Sequence, residues 1–201
     1  MCNLYRLSAS ASKTASRFGL QAFDQSNAGS HLYPGSTGLV IADGRVRSMV
    51  WGFPLSRASK KTGEQLKPKP VNNARTDKLD GFFWRSSFEK RRCLIPLEAF
   101  AEAEGPRGKM TRTWMTLPGA DVFAVAGIWR DSGEWGPSYS MVMTDASEQM
   151  ARIHDRMPVV LTDIEAQRLW QSGTPDEARA LCRPFDGELT IERTEESWVR
   201  R

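Results

Sequence analysis

Cys2 directly follows Met1 and has the side chain with the clearest reactive potential in the chain. A small residue in the second position permits removal of the initiator methionine, which leaves a cysteine with a free α-amino group. The unperturbed pKa values are roughly 8 for this amine and about 8.5 for the thiol, so both are partly nucleophilic near neutral pH. Such a 1,2-aminothiol condenses with an aldehyde to an imine and then closes through sulfur to a thiazolidine. On this residue alone, a cysteine placed there by chance is the favoured explanation.

A second group of polar residues lies in the run from Asn73 to Asp77, which also contains Arg75. Asparagine offers both a donor and an acceptor, and the arginine fork suits a phosphate. The run is therefore compatible with a substrate contact. An asparagine-rich turn that follows a proline-rich segment explains the same spacing equally well.

Glu102 follows the largely apolar segment Cys93–Phe100. A carboxylate that is pressed against hydrophobic surface has a raised pKa, which is how a protein makes a general acid. In the alternative interpretation, Glu98 and Glu102 mark the solvent face of a strand.

His154 and Arg156 precede the apolar run Met157–Leu161, where a short helix is expected to give way to a strand. Loop residues at such a junction can point into a cleft, where histidine transfers protons near neutral pH. Arg156 could bind a phosphate there. A purely structural histidine is the alternative.

The elements that must position these residues are mostly short strands bounded by Gly, Pro, Asp or Ser. The predicted strands are Gly38–Ile41, Val46–Phe53, Arg92–Ile95, Thr113–Thr116, Val122–Ile128 and Ser138–Met143. Helices are predicted at Leu79–Glu89 and Ala146–Ile153, and after capping boxes that begin at Thr162 and Thr174. The polar stretch Ser56–Pro70 is predicted to be an exposed loop. The pattern indicates an α+β domain around a largely antiparallel, barrel-like sheet, with flanking helices.

Length and composition limit the classes of protein that are compatible with the chain. Its 201 residues are expected to form one domain, 1–201, and 40% apolar and 26% charged residues are ordinary for a globular protein. The three cysteines have no paired spacing and there are only two histidines, so neither a disulfide framework nor a metal site is implied. No signal peptide or membrane-spanning run is apparent, and a cytoplasmic location is expected. The net charge of +4 is a mild bias toward polyanions.

Several segments together resemble the SRAP family (SOS-response-associated peptidase) in order and spacing. The family pattern contains an N-terminal Met-Cys, Trp-Gly-x-x-Pro, Asn-Ala-Arg-x-Glu, Arg-Cys-Leu-x-Pro, Ala-Gly-Leu-Trp and His-x-Arg-Met-Pro. The matching segments are Met1-Cys2, Trp51-Gly52-Phe53-Pro54, Asn73-Ala74-Arg75-Thr76-Asp77, Arg92-Cys93-Leu94-Ile95-Pro96, Ala126-Gly127-Ile128-Trp129 and His154-Asp155-Arg156-Met157-Pro158. The similarity runs from Cys2 to about Leu161.

This resemblance implies a DNA-damage protein whose Cys2, freed of Met1, forms a thiazolidine with an abasic site in single-stranded DNA. By the same resemblance, Asn73 holds the amine or the sugar, Glu102 acts as general acid and base, and His154 assists ring opening and release. The phosphate and groove contacts implied are Arg75, Arg156, Arg85, Trp51 and Pro34, although Trp51 fits a core position equally well. No cofactor is implied, a monomer is expected, and self-removal of Met1 matches the peptidase label.

Departures from the family pattern occur close to the implied site. Asn3-Leu4 replace Gly-Arg, with Arg6 as a possible substitute for the lost phosphate contact, and Asp77 replaces Glu. Around Glu102, alanines at 101 and 103 replace a Tyr and a Trp, which removes stacking surfaces worth about 1–3 kcal/mol per base. The departures bear on DNA affinity more than on chemistry.

Two other classes of function are compatible with the residues. An N-terminal-nucleophile hydrolase, in which the α-amine activates the Cys2 thiol, predicts turnover of small amides without DNA. A noncovalent reader of damaged DNA predicts salt-sensitive affinity that survives replacement of Cys2. The covalent abasic-site protein is the leading hypothesis, because binding alone does not account for Cys2 together with the three matched polar positions.

Overall fold

The computed structural model describes residues 2–21 and 29–199. Its strands are β1 (Leu4–Arg6), β2 (His31–Leu32), β3 (Thr37–Ala42), β4 (Arg45–Trp51), β5 (Phe53–Ala58), β6 (Gln65–Val71), β7 (Asn73–Arg75), β8 (Arg92–Leu97), β9 (Ala99–Glu104), β10 (Thr111–Thr116), β11 (Phe123–Ser132), β12 (Gly136–Asp145), β13 (Arg156–Pro158), β14 (Val160–Leu161) and β15 (Thr190–Ser197). Its helices are α1 (Ala11–Arg17), α2 (Arg85–Lys90), α3 (Ile164–Ser172) and α4 (Pro175–Ala180), with a 3-10 turn at Thr76–Lys78. This is the expected α+β class.

Five strands close into a barrel in the order β12-β4-β3-β8-β11, with β11 pairing back to β12. Each pair is antiparallel except β12–β4, where Ser138 and Tyr139 lie beside Val50 and Trp51 in parallel register. Closure satisfies the backbone groups that an open sheet would leave at its edges. Five of the six predicted strands are present and longer than the sequence indicated. The sixth, Val46–Phe53, is interrupted at Gly52, so that β4 ends at Trp51 and Phe53 begins β5. The barrel-like, largely antiparallel sheet is confirmed.

A second sheet, in the order β15-β10-β9-β1-β2, lies against the barrel. Its strand β1 pairs with β9 through Leu4↔Ala101 and Tyr5↔Phe100. Side chains alternate across a strand, so Phe100 faces the main core while Ala101 packs with Leu4 and Trp114 on the other face. The start of the chain is thereby held next to the residues around Glu102.

Tyr5 of the second sheet and Tyr139 of the barrel meet in the core, with 2.5 Å between their hydroxyl oxygens. Trp51 lies against both rings, edge-on to Tyr5 and stacked on Tyr139. Gly38 makes room for this pair, because a Cβ atom there would lie 2.3 Å from the Tyr139 hydroxyl and 2.5 Å from that of Tyr5. The aromatic cluster joins the two sheets close to the N-terminus.

The C-terminal helices are anchored by one buried tryptophan and one buried arginine. Trp170 of α3 donates its indole N–H to the carbonyls of Cys93 and Gly127 on the barrel. Arg92 donates to the carbonyls of Phe88, Trp170 and Gly173, which satisfies the ends of α2 and α3. The helices are therefore attached to the barrel by polar contacts as well as by apolar ones.

Of the two helix starts predicted from capping boxes, one is found at the predicted residue and the other is displaced by one residue. The capping box at Thr174 and Glu177 is confirmed. At α3 the cap is Asp163, whose side chain accepts from Ala166 N, rather than Thr162. Both residues suit an N-cap, and Asp is somewhat preferred to Thr at this position.

Three local predictions were wrong. Residues Ser56–Pro70 form most of the hairpin β5–β6 instead of a loop. The helix expected at Leu79–Glu89 begins only at Arg85, because Asp80-Gly81 favours a turn. Ala146–Ile153 forms separate turns, such as Ala151 N to Ser147 O, and no continuous helix. Within the described ranges, no helix is long and apolar enough to cross a membrane.

Candidate active site at the N-terminus

Cys2 is buried between the second sheet and the barrel, with 0% of its surface exposed. Its Sγ lies 3.5 Å from the Leu4 carbonyl oxygen. Burial raises the pKa of the thiol well above its usual range, and the negative charge of Glu102 raises it further. In the chain that still carries Met1, Cys2 is therefore a neutral, sheltered thiol.

Two adjacent asparagines hold the Cys2 backbone. The carbonyl oxygen of Cys2 accepts hydrogen bonds from Nδ2 of Asn72 at 2.9 Å and from Nδ2 of Asn73 at 2.8 Å. Asn72 also donates to Oδ1 of Asn3 at 3.0 Å. Both lone pairs of the carbonyl are thus occupied, which fixes the orientation of the peptide at Cys2.

Asn73 reaches Cys2 because β7 runs parallel to β12, with Asn73 beside Met141. Its amide nitrogen is committed to Cys2, while its Oδ1 is buried without a hydrogen-bond partner among the described residues. A buried acceptor of this kind costs about 1–3 kcal/mol when it is left unsatisfied. Asn73 therefore keeps one acceptor available at the site.

Glu102 lies in the middle of β9, opposite Thr113 of β10, and only 3% of it is exposed. Alternation along β9 directs it to the same face as Phe100, toward the interior. Burial raises the pKa of its carboxyl to about 7, and the negative charge of Asp155 acts in the same direction. A carboxyl with this pKa exchanges its proton at neutral pH, as a general acid or base must.

His154 precedes β13, which pairs with β12. Its Nδ1 accepts a hydrogen bond from Arg156 N at 3.0 Å and lies 2.9 Å from Oδ1 of Asp155. These two neighbours favour opposite protonation states of Nδ1. The backbone N–H of Arg156 requires an unprotonated Nδ1 as acceptor, whereas the Asp155 carboxylate favours a protonated Nδ1 as donor. Burial lowers the pKa of the imidazole, so near neutral pH Nδ1 is the acceptor and Nε2 carries the proton.

Arg75 and Arg156 lie on opposite sides of β12, since Met143 pairs with Arg75 on one side and Pro158 on the other. Each is paired with a carboxylate. Arg75 donates to both oxygens of Asp77, at 2.9 and 2.7 Å, and Arg156 lies 2.9 Å from Asp145. A phosphate bound by either arginine would compete with these acids.

The other predicted DNA contacts form no hydrogen bond with Cys2 among the described residues. Trp51 is 0% exposed within the aromatic cluster, so its prediction as a groove residue is wrong and its core alternative holds. Its face is covered because β4 closes the barrel against β12. Pro34 is half-buried in the turn after β2, and exposed Arg85 forms an ion pair with Glu89 on α2. Arg6 lies over the Trp114 ring, directed toward Glu98.

The structure adds three residues that the sequence did not single out as site residues. Asn72 and Asn3 form the hydrogen-bonded frame around Cys2, and Asp155 interacts with both His154 and Glu102. Adjacency to Asn73 and His154 was the only available sequence signal. Contacts across some seventy residues of chain separation, as between Cys2 and Asn72, are not readable from spacing.

The fold and the site define an α+β barrel protein with a buried cysteine near its N-terminus, framed by asparagines and next to a carboxyl that titrates near neutral pH. The sequence profile of the family described as SOS response associated peptidase (SRAP) matches residues 1–197, and the chain belongs to this family.

Relatives agree with this assignment, and a solved structure shares the fold. Abasic site processing protein YoqW of Bacillus subtilis is 31% identical over 166 residues, which cover 74% of this chain and 70% of YoqW. Abasic site processing protein YobE of the same organism is 29% identical over 163 residues, covering 74% of this chain and 71% of YobE. A crystal structure of a protein from Bacteroides thetaiotaomicron superposes with a TM-score of 0.79 at 23% identity, over 96% of this chain and 91% of that one. That likeness shows the shared fold.

Proposed function

We propose that this protein processes abasic sites in DNA by forming a covalent crosslink through Cys2 after Met1 has been removed. The substrate class is single-stranded DNA with a ring-opened abasic deoxyribose, whose aldehyde is the electrophile. The names of the relatives support abasic-site processing. The observation that carries the crosslink is the buried carboxyl of Glu102, with a pKa of about 7, next to a cysteine whose backbone is held by two asparagines.

The chemistry requires both nucleophiles of an N-terminal cysteine. The α-amine adds to the aldehyde carbon to give a carbinolamine, which loses water to form an imine. The thiol then adds to the imine carbon, and its proton moves to nitrogen as the thiazolidine ring closes. The balance is one aldehyde and one aminothiol converted to one thiazolidine and one water, with no oxidant or reductant.

Glu102 is suited to the proton transfers of this sequence. A carboxyl with a pKa of about 7 is present in both forms near neutral pH. The acid form protonates the carbinolamine hydroxyl so that it leaves as water, and the resulting carboxylate accepts the thiol proton. Because the carboxylate also raises the pKa of the Cys2 thiol, transfer of the proton to Glu102 removes the charge that disfavours thiolate.

Asn73 holds Cys2 in position, and His154 acts on the sugar. The unfilled acceptor Oδ1 of Asn73 is available to the α-amine or to a sugar hydroxyl while Nδ2 holds Cys2 in place. His154, with its proton on Nε2, donates to the ring oxygen as the sugar opens and takes part in release of the crosslink. Arg75 and Arg156 bind the flanking phosphates when these displace Asp77 and Asp145.

Removal of Met1 precedes this chemistry, because the α-amine of Cys2 is tied in the Met1–Cys2 peptide bond. We propose that the same site assists this hydrolysis, with Glu102 activating water. The family description as a peptidase is compatible with such a step.

In the test, mass spectrometry first verifies that Met1 is absent from the purified protein. The protein is then incubated with a single-stranded oligonucleotide that carries one abasic site, and the products are separated by denaturing electrophoresis. A slower band that survives denaturation and needs the lesion is expected. Cys182→Ala is the matched control, because it removes a thiol outside the site and leaves crosslinking unchanged. Cys2→Ala, once Met1 is removed, keeps an α-amine, so borohydride should still trap an imine while no stable band forms without reductant.

Each outcome separates the candidate functions. A stable band with Cys2→Ala and no reductant would overturn the thiazolidine assignment. Lesion-selective binding by processed protein without any band would point to a noncovalent reader. Cys2-dependent turnover of a small amide, with no band on abasic DNA, would point to an N-terminal-nucleophile hydrolase.

A further inference from the structure

The hairpin β5–β6 has no role in the chemistry above, yet it is strongly basic. We use the name basic arm for residues Phe53–Val71. The basic arm contains five cations and one acid, Glu64; the cations are Arg57, Lys60, Lys61, Lys67 and Lys69. Its net charge of +4 equals that of the whole chain, so the remaining residues sum to zero. The net positive charge that favours a polyanion is therefore concentrated here.

The cations of the basic arm are exposed and available. Lys67 and Lys69 alternate with the half-buried Pro68 and Pro70, so the lysines share one face of the strand and the prolines the other. None of the five cations forms an ion pair within the ranges that the structure describes, in contrast to Arg75 and Arg156. A phosphate can therefore bind them without displacing a carboxylate.

The base of the basic arm is fixed, and its composition stiffens it. Phe53 is buried against Phe83 and Trp84, and the Arg130 guanidinium lies 4.2 Å from the centre of the Phe53 ring. Pro70 packs so closely on Gly52 that a Cβ atom there would lie 2.4 Å from Pro70 Cβ. Prolines restrict the backbone, so ordering this surface on binding costs little entropy.

The basic arm is continuous with the site. Val71 ends β6 and the next two residues are Asn72 and Asn73, which hold the Cys2 carbonyl. Lys69 lies two positions before Val71, which is a span of about 7 Å in an extended strand. A DNA strand that places an abasic sugar at Cys2 therefore passes close to the lysines of β6.

A fully exposed aromatic ring precedes a residue that packs on the base of the arm. Phe82 is 103% exposed, while its neighbour Phe83 packs on Phe53 with 6.1 Å between ring centres. An exposed aromatic ring together with a row of cations is a combination used to bind single strands, because bases stack on the ring while cations contact phosphates. This pairing favours a nucleic-acid strand over other polyanions.

We propose that the basic arm and Phe82 bind the single-stranded DNA that flanks the abasic site, with the lysines on phosphates and Phe82 stacked on a base. The proposal rests on the proposed function for the identity of the strand. It assigns affinity to the arm and covalent chemistry to the buried site, so the two can be tested separately.

The experiment measures equilibrium binding of an intact single-stranded oligonucleotide, without a lesion, as a function of salt concentration. For single strands, log affinity falls against log salt by about 0.7 for each phosphate contact. Lys67→Gln with Lys69→Gln should therefore reduce the slope by about 1.4. The matched control, Lys13→Gln with Arg17→Gln on α1, removes the same charge from exposed positions and should leave the slope unchanged.

Phe82 provides an independent readout. Phe82→Ala should weaken binding about 5- to 100-fold at every salt concentration, with an unchanged slope, and Phe82→Trp should restore it. An unchanged slope in the lysine variant, or an equal loss in the α1 control, would overturn the role of the arm. No loss with Phe82→Ala would overturn the stacking contact.

Crosslinking of abasic DNA at low salt and saturating protein then separates the two proposals. The arm variants should reach the wild-type yield, because their Cys2 site is intact. If wild-type protein forms no covalent product, the proposed function fails, while the slopes on intact DNA still decide whether the arm binds it.

Discussion

The side-chain amide of Asn73 donates a 2.8 Å hydrogen bond to the backbone carbonyl of Cys2, across seventy-one positions of the chain. Asn72 donates to the same oxygen, but only Asn73 keeps its own amide oxygen buried without a partner among the described residues. The two neighbours therefore share a structural contact and differ in what they can offer a substrate.

Asn73→Ala should slow single-turnover crosslinking at least 10-fold, because it removes both the contact to Cys2 and the acceptor at the site. Asn72→Ala should slow it by a smaller factor, since Asn73 still holds the carbonyl. Asn72→Ala loses two hydrogen bonds, whereas Asn73→Ala loses one together with an unsatisfied acceptor. The free energy of unfolding should therefore fall more in Asn72→Ala, by about 1–2 kcal/mol. Quenched time courses on denaturing gels measure the rates, and equal losses in the two variants would contradict this division of roles.

Glu102 should make the protein less stable as the pH rises. Its folded pKa of about 7 lies above the unfolded value, so the folded state holds the proton more tightly and loses stability between about pH 4.5 and 7. Glu102→Gln abolishes this loss, and should raise stability by up to about 3 kcal/mol at pH 8 with little change at pH 4. Thermal melts across this range provide the measurement.

The same substitution should damage activity while it improves stability. Glu102→Gln is expected to reduce the crosslinking rate about 100- to 10,000-fold, and to remove the inflection near pH 7 from its pH profile. A variant that is more stable at pH 8 and crosslinks at the wild-type rate would show that the buried carboxyl has no part in proton transfer.

Asp155→Asn should lower the pKa of His154, because the carboxylate 2.9 Å from Nδ1 favours the protonated ring. It should also lower the pKa of Glu102, whose charged form Asp155 disfavours. The chain has two histidines, so His31 serves as an internal reference in a proton NMR titration. The His154 resonances should titrate at lower pH in the variant, while those of His31 stay unchanged. A His154 titration unaffected by the substitution would contradict the contact.

Asp77 should compete with DNA for Arg75. It accepts both hydrogen bonds of the Arg75 fork, and this contact holds the pKa of the Asp77 carboxyl below its usual value. Asp77→Asn should therefore raise affinity for single-stranded DNA about 2- to 10-fold, whereas Arg75→Gln should lower it and reduce the salt slope by about 0.7. Fluorescence anisotropy on an intact oligonucleotide measures both. Weaker binding by Asp77→Asn would show that Asp77 positions Arg75 for DNA and does not compete with it.

Gly38→Ala should destabilise the protein by about 1–3 kcal/mol, because the added methyl would meet the hydroxyls of Tyr5 and Tyr139. Combining it with Tyr139→Phe should recover part of the loss, since the phenylalanine removes the nearer oxygen. Chemical denaturation of the two single variants and the double variant gives the coupling free energy. Strictly additive losses would contradict the steric explanation.

Local sequence signals predicted those features that depend on neighbouring residues. The capping box at Thr174 formed as expected, because its hydrogen bonds join residues three apart. Five of the six predicted strands are present as single strands, since short apolar runs between turn residues have few alternatives. The helix expected at Ala146–Ile153 did not form. The hydrogen bonds of this segment close isolated turns, and the local sequence pattern does not distinguish such turns from a short helix.

The sequence by itself determined the family, the α+β class and the order of Cys2, Asn73, Glu102 and His154 along the chain. Only the tertiary structure decided that Trp51 belongs to the core, that Asn72 shares the Cys2 carbonyl and that Ser56–Pro70 forms most of a charged hairpin. The hairpin depends on the more local pairing of β5 with β6, whereas the first two outcomes depend on barrel closure by the parallel pair β12–β4 and on the pairing of β1 with β9. Such contacts join residues tens of positions apart, and their energy comes from packing and burial, which spacing along a chain does not encode.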